Sequence, residues 1–468
     1  MLITSVVVYF LVTIGIGLWA AQRVHNSKDY LIAGRSLPLY MNMATVFATW
    51  FGAETVLSVS ATFAKDGLHG IVADPFGSSF CLFFVALFFA RAFYRMDLLT
   101  IGDFYRKRYS KPVEVVTSVA ITASYLGWTS AQLTALGLVF SVLSGGAIDL
   151  NTGILLGGVI VLGYTIWGGM WSVALTDLFQ TVIILIGLTA VAILVGNMAG
   201  GPSKVISAAV EAGKFEFWPK GGAREWLGFL AAWMTLAIGS IPQQDVFQRV
   251  TSAKDERTAM RGSFFGGVLY FCFAFVPMFI AYSALLIDPG FAKLFASEDV
   301  REIQRILPNL ILERTPMWAQ VLFFGALLSA ILSTASGALL APTALFTENV
   351  VRPFAPRLGD RQFLLLLRIV LVLFTLAALL FALNSKSTMY EMVQNAYKVT
   401  LVSCVVPLAA GIYWKRANAV AAMFSVLLGL VSWGIAELTA PEATIPPQLI
   451  GLGFSLLGMV LGSLVPRK

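Results

Sequence analysis

What charge this sequence has is thinly spread. Asp, Glu, Lys and Arg make up 12% of the 468 residues, whereas hydrophobic types make up 58%, and the mean hydropathy is +0.82. Such scarcity excludes a water-soluble domain of ordinary composition and points to a membrane protein. Cysteine is equally rare. Cys81, Cys272 and Cys404 all fall in apolar runs, which excludes a water-facing disulfide framework. The two histidines, His25 and His69, sit at expected membrane edges, which excludes a histidine-based proton relay. The sequence also lacks H-E-x-x-H, G-x-S-x-G and any metal-ligand cluster, so an enzyme is not expected. No small-residue cleavage site follows the first apolar run, Leu2–Ala21, which reads as a retained helix. The net charge of +7 comes from basic residues scattered over short gaps, a membrane-topology pattern rather than a nucleic-acid footprint.

Long apolar runs predict thirteen transmembrane helices: 3–22, 37–64, 69–94, 113–145, 150–168, 171–197, 225–250, 262–287, 317–350, 362–384, 387–413, 417–440 and 448–465. Alternate gaps and helix ends divide the basic residues unequally. One set, which includes Arg35, Arg95, Arg106, Lys107, Arg108, Arg257, Arg357, Arg361, Lys415, Arg416, Arg467 and Lys468, holds 20; the other, which includes Lys65, Lys204, Lys214, Arg224, Lys293 and Arg301, holds 10. Excess Lys and Arg mark the cytoplasmic side. The first set is therefore expected inside, with the N-terminus outside and the C-terminus inside.

Two of the runs are interrupted at corresponding places. The second carries Gly52 and Glu54 in mid-span, and the seventh carries Gly239, Ser240, Pro242, Gln243 and Asp245. Unwound backbone at membrane depth is tolerated only where protein or a cavity satisfies its polar groups. If helices 2–6 and 7–11 are two repeats, each break opens its repeat, the arrangement that places a binding site at the midplane of an inverted-repeat transporter. A simple proline kink is the competing explanation.

The junction of the fifth and sixth runs carries Tyr164, Thr165, Gly168, Gly169, Val173, Thr176, Asp177 and Gln180. Their spacing resembles the Y-T-x-x-G-G-x-x-x-V-x-x-T-D-x-x-Q stretch of the sodium:solute symporter family. Ala330, Ser333 and Thr334 are similar to that family's A-x-x-S-[ST] cation-binding segment, and Gly34-Arg35-Ser36-Leu37-Pro38 resembles its lead into the first core helix. Gln248-Arg249 and Trp414-Lys415-Arg416 also fit, and the stretches around Asp177 and Gln248-Arg249 look like the choline-transporter branch. The resemblance, over about residues 30–420, implies an all-α leucine-transporter-like membrane fold. Residues 1–36 would be a leading helix and loop, 37–200 and 201–416 a five-plus-five inverted repeat, and 417–468 two trailing helices.

Sodium-coupled symport of a small polar solute by alternating access, in the inner membrane and by a monomer, is what the resemblance implies. It assigns a sodium ion to Ala48, Phe51, Ala330, Ser333 and Thr334, with Asp177 in support. The chemistry agrees, because hard cations prefer oxygen ligands and an interrupted helix exposes carbonyls. An isolated Ser-Thr pair would more often bond back to its own helix.

For the solute, Tyr125, Trp128 and Gln132 share one helical face with Thr129, and Trp50, Glu54, Asp74, Trp233, Ser240 and Gln243 join them as candidates. Two carboxylates among tryptophans favour a zwitterion or organic cation over a bare anion. Amino acid, organic amine, sugar and monocarboxylate solutes remain open. Proton coupling through Glu54, Asp74 or Asp177 is the rival reading. A membrane sensor is the lesser one, because no signalling domain is expected after Arg467. Glu391 and Lys398, seven apart on one face, are read as a gate or as members of ion pairs with other partners.

Overall fold

The computed structural model describes residues 2–354 and 359–465; Arg357, Arg467 and Lys468 of the basic set lie outside them. The described residues are helical, and their only strand-like pairing is an isolated bridge between Leu37 and Ala253. Every apolar run corresponds to a helix or a broken helix. In chain order these are α1 Leu2–Ala21, α2 Leu39–Trp50 plus Glu54–Asp66, α3 Leu68–Met96, α4 Lys111–Leu143, α5 Leu150–Trp167, α6 Gly169–Met198 and α7 Ala223–Ala237 plus Gln244–Ser252. They continue as α8 Glu256–Ile287, α9 Met317–Phe354, α10 Asp360–Asn384, α11 Met389–Ser403 plus Val405–Tyr413, α12 Ala419–Thr439 and α13 Pro447–Ser463.

Among the described residues, nine of these helices are individually long and apolar enough to cross a membrane, and the halves of α2 and α11 pass the same test together. The protein is an all-helical integral membrane protein. Most of α4 and α9 is enclosed by other helices, whereas α1 and α12 leave most of their apolar surface outward. The centre of the bundle is therefore where α2, α4 and α9 meet.

Local chemistry accounts for the breaks. The halves of α2 are bent by 57° across Phe51 and Gly52, where the Gly52 N–H turns back to the Trp50 carbonyl at 3.1 Å. In α7 the interruption covers 238–243, and Pro242, which has no N–H to give to a helix, lies inside it. Gly169 separates α5 from α6 at φ 51°. A Cβ there would lie 2.5 Å from the Tyr30 carbonyl, so both conformation and space require glycine.

The sequence reading did not anticipate two further distortions. α11 bends by 44° at Cys404, and α3 leaves helical geometry at Asp74.

The two sets of connections gather at opposite ends of the bundle. On one, Arg35 Nη2 donates to the Tyr94 carbonyl (2.7 Å), Arg95 pairs with Glu256 (2.7 Å) and Leu37 N–H donates to Ser252 O (2.9 Å). There too, Asn349 Nδ2 bridges Asp103 (2.9 Å) and Glu114 (2.7 Å), tying α9 to the start of α4. On the other end, Leu68 N–H donates to Lys214 O (2.8 Å), Arg224 to Glu442 O (3.0 Å) and Arg301 to Ser385 O (3.2 Å). These contacts join connections of the same charge set, as an alternating path through the bundle requires.

Candidate functional site

The break in α2 leaves the Ala48 carbonyl free. In an unbroken helix it would accept the Gly52 N–H, which here goes to Trp50 instead. Two hydroxyls of α9 meet it: Ser333 Oγ donates at 2.7 Å and Thr334 Oγ1 at 3.3 Å. Ser333 Oγ also lies 3.1 Å from the Ala330 carbonyl. Ala48, Ala330, Ser333 and Thr334 are all fully buried. Four of the five expected ion ligands thus converge, and the fifth, Phe51, forms the break itself at φ −84° and ψ 74°. The donors are neutral, buried oxygens, a set that fits a hard cation.

Asp177 is not in this ligand cluster. Its Oδ2 accepts the hydroxyl of Thr45, one turn before Ala48, and its Oδ1 has no hydrogen-bond partner. That places Asp177 beside the turn that carries Ala48.

A second cluster begins at Glu54, the first residue of the second half of the same helix. The Glu54 carboxylate accepts Trp128 Nε1 (3.0 Å) and Gln132 Nε2 (2.6 Å), and Gln132 Oε1 accepts the Ala53 N–H (3.1 Å). The i, i+4 spacing of Trp128 and Gln132 on α4 puts both donors on one carboxylate. Ring centroids of Trp50 and Trp128 are 6.3 Å apart, and those of Tyr125 and Trp128 are 5.9 Å apart. The two side chains that donate to the Glu54 carboxyl are both neutral, and among the described residues no Lys or Arg pairs with it.

The other candidates separate into smaller groups. Asp74 accepts hydrogen bonds from Tyr270 and from Thr55, the latter at 3.1 Å. Gln243 bonds Ser124 (3.0 Å) and Thr400 (3.3 Å) across the α7 break. Ser240, also in that break, is buried with no hydrogen-bond partner for its hydroxyl. Trp233 is not brought to the cluster. Its ring packs on Phe80 and Phe84 at 5.5 and 6.2 Å, because the first half of α7 turns that face to α3.

Lys398 lies 3.5 Å from Glu437 of α12, while Glu391 caps its own helix by accepting the Thr388 N–H at 2.8 Å. They are not paired with each other. Sequence reasoning missed Tyr397, whose ring stacks on Trp50 at 6.4 Å and lies 6.0 Å from Trp128. Its seven-residue spacing from Tyr390, also buried, was the available signal.

A cavity of about 430 Å³ opens at the end of the bundle that carries the less basic connections. Lys65, Asp66, His69 and Glu391 line it, with Val72 and Tyr390 toward the bundle interior.

An interrupted helix that offers a carbonyl to hydroxyls of a neighbouring helix, beside a buried polar and aromatic cluster, is the kind of arrangement in which secondary transporters hold a coupling ion. The chain belongs to the sodium:solute symporter family, whose sequence model, Sodium:solute symporter family, matches residues 30–429. It is 26% identical over 449 residues to the High-affinity choline transporter 1 of Caenorhabditis elegans, covering 92% of this chain and 76% of the relative. It is 24% identical over 491 residues to the Osmoregulated proline transporter OpuE of Bacillus subtilis, covering 100% and 95%. Among solved structures, a Na+-coupled sialic acid symporter in a substrate-bound outward-open state matches with a TM-score of 0.83 at 18% identity, covering 100% of this chain and 98% of that one. The expected likeness to choline transporters is therefore borne out, as is the transporter class.

Proposed function

We propose that this protein carries a small organic cation or zwitterion across the inner membrane together with sodium, by alternating access between its two faces. The observation that carries the reading is the Ala48 carbonyl facing the Ser333 and Thr334 hydroxyls (2.7 and 3.3 Å) on the same interrupted helix that bears Trp50 and Glu54. Sodium bound there would be held by Ala48, Ala330, Ser333 and Thr334 oxygens, with Phe51 in the break. It would fix the two helices against each other and so set the position of Glu54. The Asp177 carboxyl lies close to that turn, bonded to Thr45.

A positively charged solute is favoured by Glu54, whose side-chain donors, Trp128 and Gln132, are both neutral. Trp50, Trp128 and Tyr397 offer faces to a quaternary or protonated amine, each such contact contributing about 0.5–2 kcal/mol. Relatives named as choline and proline transporters support that solute class. Thirteen spanning helices with the five-plus-five repeat, N-terminus outside and C-terminus inside, complete the proposal. The cavity bearing Lys65 and Glu391 is then the outer vestibule. Family membership and the Na+-coupled structural neighbour favour sodium over a proton as the driving ion.

The test is a panel of amines, amino acids, sugars and monocarboxylates screened for thermal stabilisation of the purified protein in sodium and in potassium. Stabilisation by choline or a related amine in sodium alone is expected. Stabilisation by a sugar or monocarboxylate instead, or equally in both salts, contradicts the reading.

A further inference from the structure

Arg249, on the second half of α7, is only 2% exposed. Its guanidinium grips two broken helices at once. Nε and Nη2 donate to the Thr49 hydroxyl on α2 at 3.1 and 2.6 Å, and Nη1 donates to the Asp245 carbonyl at the α7 break at 3.3 Å. Space for it is left by Gly337 of α9, one turn after Ser333, where a Cβ would come within 2.7 Å of Nη2. Asp177 and Asp245 both feel its charge, and each retains one oxygen without a hydrogen-bond partner. Burying a guanidinium costs several kcal/mol unless good partners offset it. Here the fork is directed at a hydroxyl and a carbonyl, both at helix breaks.

Thr49 follows Ala48 directly, so whatever holds Thr49 also holds the peptide carrying the candidate ion ligand. On the other side, the Asp245 N–H donates to the Tyr125 hydroxyl at 2.8 Å, and Tyr125 returns a hydrogen bond to Asp245 Oδ1. The Tyr125 ring lies against Trp128, which donates to Glu54. A continuous path therefore runs from Ala48 through Thr49, Arg249, Asp245 and Tyr125 to Trp128. A second bond, from Asn42 Nδ2 to the Arg249 carbonyl at 2.7 Å, keeps the two helices in register.

We propose that Arg249 is a positioning residue that transmits cation occupancy at Ala48, Ser333 and Thr334 to the second half of α7 and, through Asp245 and Tyr125, to the aromatic cluster. The proposal rests on the sodium reading above and adds the route by which the ion acts at a distance. Such networks are established by perturbing the link, not by proximity.

The experiment is backbone hydrogen exchange on the purified full chain in sodium chloride against equimolar potassium chloride, followed in segments 330–337 and 244–252. In the parent, sodium slows exchange in both. In Thr49→Val, at saturating sodium, the effect persists in 330–337 but shrinks in 244–252 by at least about five-fold, the lower end of usual coupling between sites. Thr49→Ser, which keeps the hydroxyl, restores it. Arg249→Lys retains the charge without the planar fork and matches Thr49→Val; if it does not fold, the two Thr49 variants decide. A purely structural clamp would change exchange equally in both salts and leave the sodium response intact, which overturns the proposal. Loss of response in both segments of Thr49→Val also overturns it, by making Thr49 part of the ion site. No sodium response in the parent would instead refute the sodium reading itself.

Discussion

Replacing Ser333 by alanine removes the hydroxyl that lies 2.7 Å from the Ala48 carbonyl and 3.1 Å from the Ala330 carbonyl. The site is fully enclosed, so water has no easy route to replace the lost ligand. A hydrogen-bonding group in contact with a charge contributes about 1.5–3 kcal/mol. At about 1.4 kcal/mol per decade, the half-saturating sodium concentration should rise roughly ten-fold to a hundred-fold. Thr334→Ala should cost less, because its hydroxyl stands farther from Ala48, at 3.3 Å. Alanine suits a helix interior, so both variants should fold.

Thermal unfolding across a sodium titration at fixed ionic strength measures the effect without any solute. Where a solute binds, its apparent affinity should fall at low sodium and recover as sodium is raised, as linkage requires. Sodium dependence identical to the parent in both variants would refute the assigned ion site.

Trp128→Ala and Gln132→Ala should each weaken solute binding by about 1–3 kcal/mol through loss of a desolvated contact, with sodium stabilisation of the solute-free protein retained. Unchanged affinity in both, read by radiolabelled choline binding, would move the pocket away from α4. Glu54→Gln, which keeps the shape and removes the charge, should lower affinity for a cationic solute at least about ten-fold; unaltered choline binding would show that the carboxylate does not face the solute. For topology, a cysteine at the exposed Thr444 should react with an impermeant thiol reagent in intact cells, and one at the exposed Lys107 only with a permeant one. The opposite pattern, measured with Cys272→Ser as background, would invert the proposed orientation.

Hydropathy made the helices legible because each must hide its backbone from lipid along its whole length. Polar residues with glycine or proline likewise revealed the breaks at Gly52 and Pro242. The bend in α11 was less visible, since no glycine marks it. Its available signal was Pro407, which lacks the N–H that the Ser403 carbonyl would otherwise receive.

The Ser333–Thr334 pair shows where local sequence stops being sufficient. Whether those hydroxyls bond their own helix or a neighbour depends on a carbonyl 285 residues away. Family spacing supplied that partner, and geometry brought the two together. Trp233 and Tyr397 illustrate the same point from opposite sides. Both are aromatics on interrupted helices, yet rotation of α7 sends one toward Phe80 while α11 delivers the other to Trp50.

Sodium as the driving ion is tested most directly by uptake of radiolabelled choline into proteoliposomes under an imposed inward sodium gradient, compared with an inward proton gradient in sodium-free buffer. Accumulation above equilibrium with sodium, abolished when the gradient is collapsed and absent with protons alone, is the expected result. Accumulation driven equally by a proton gradient without sodium would contradict it.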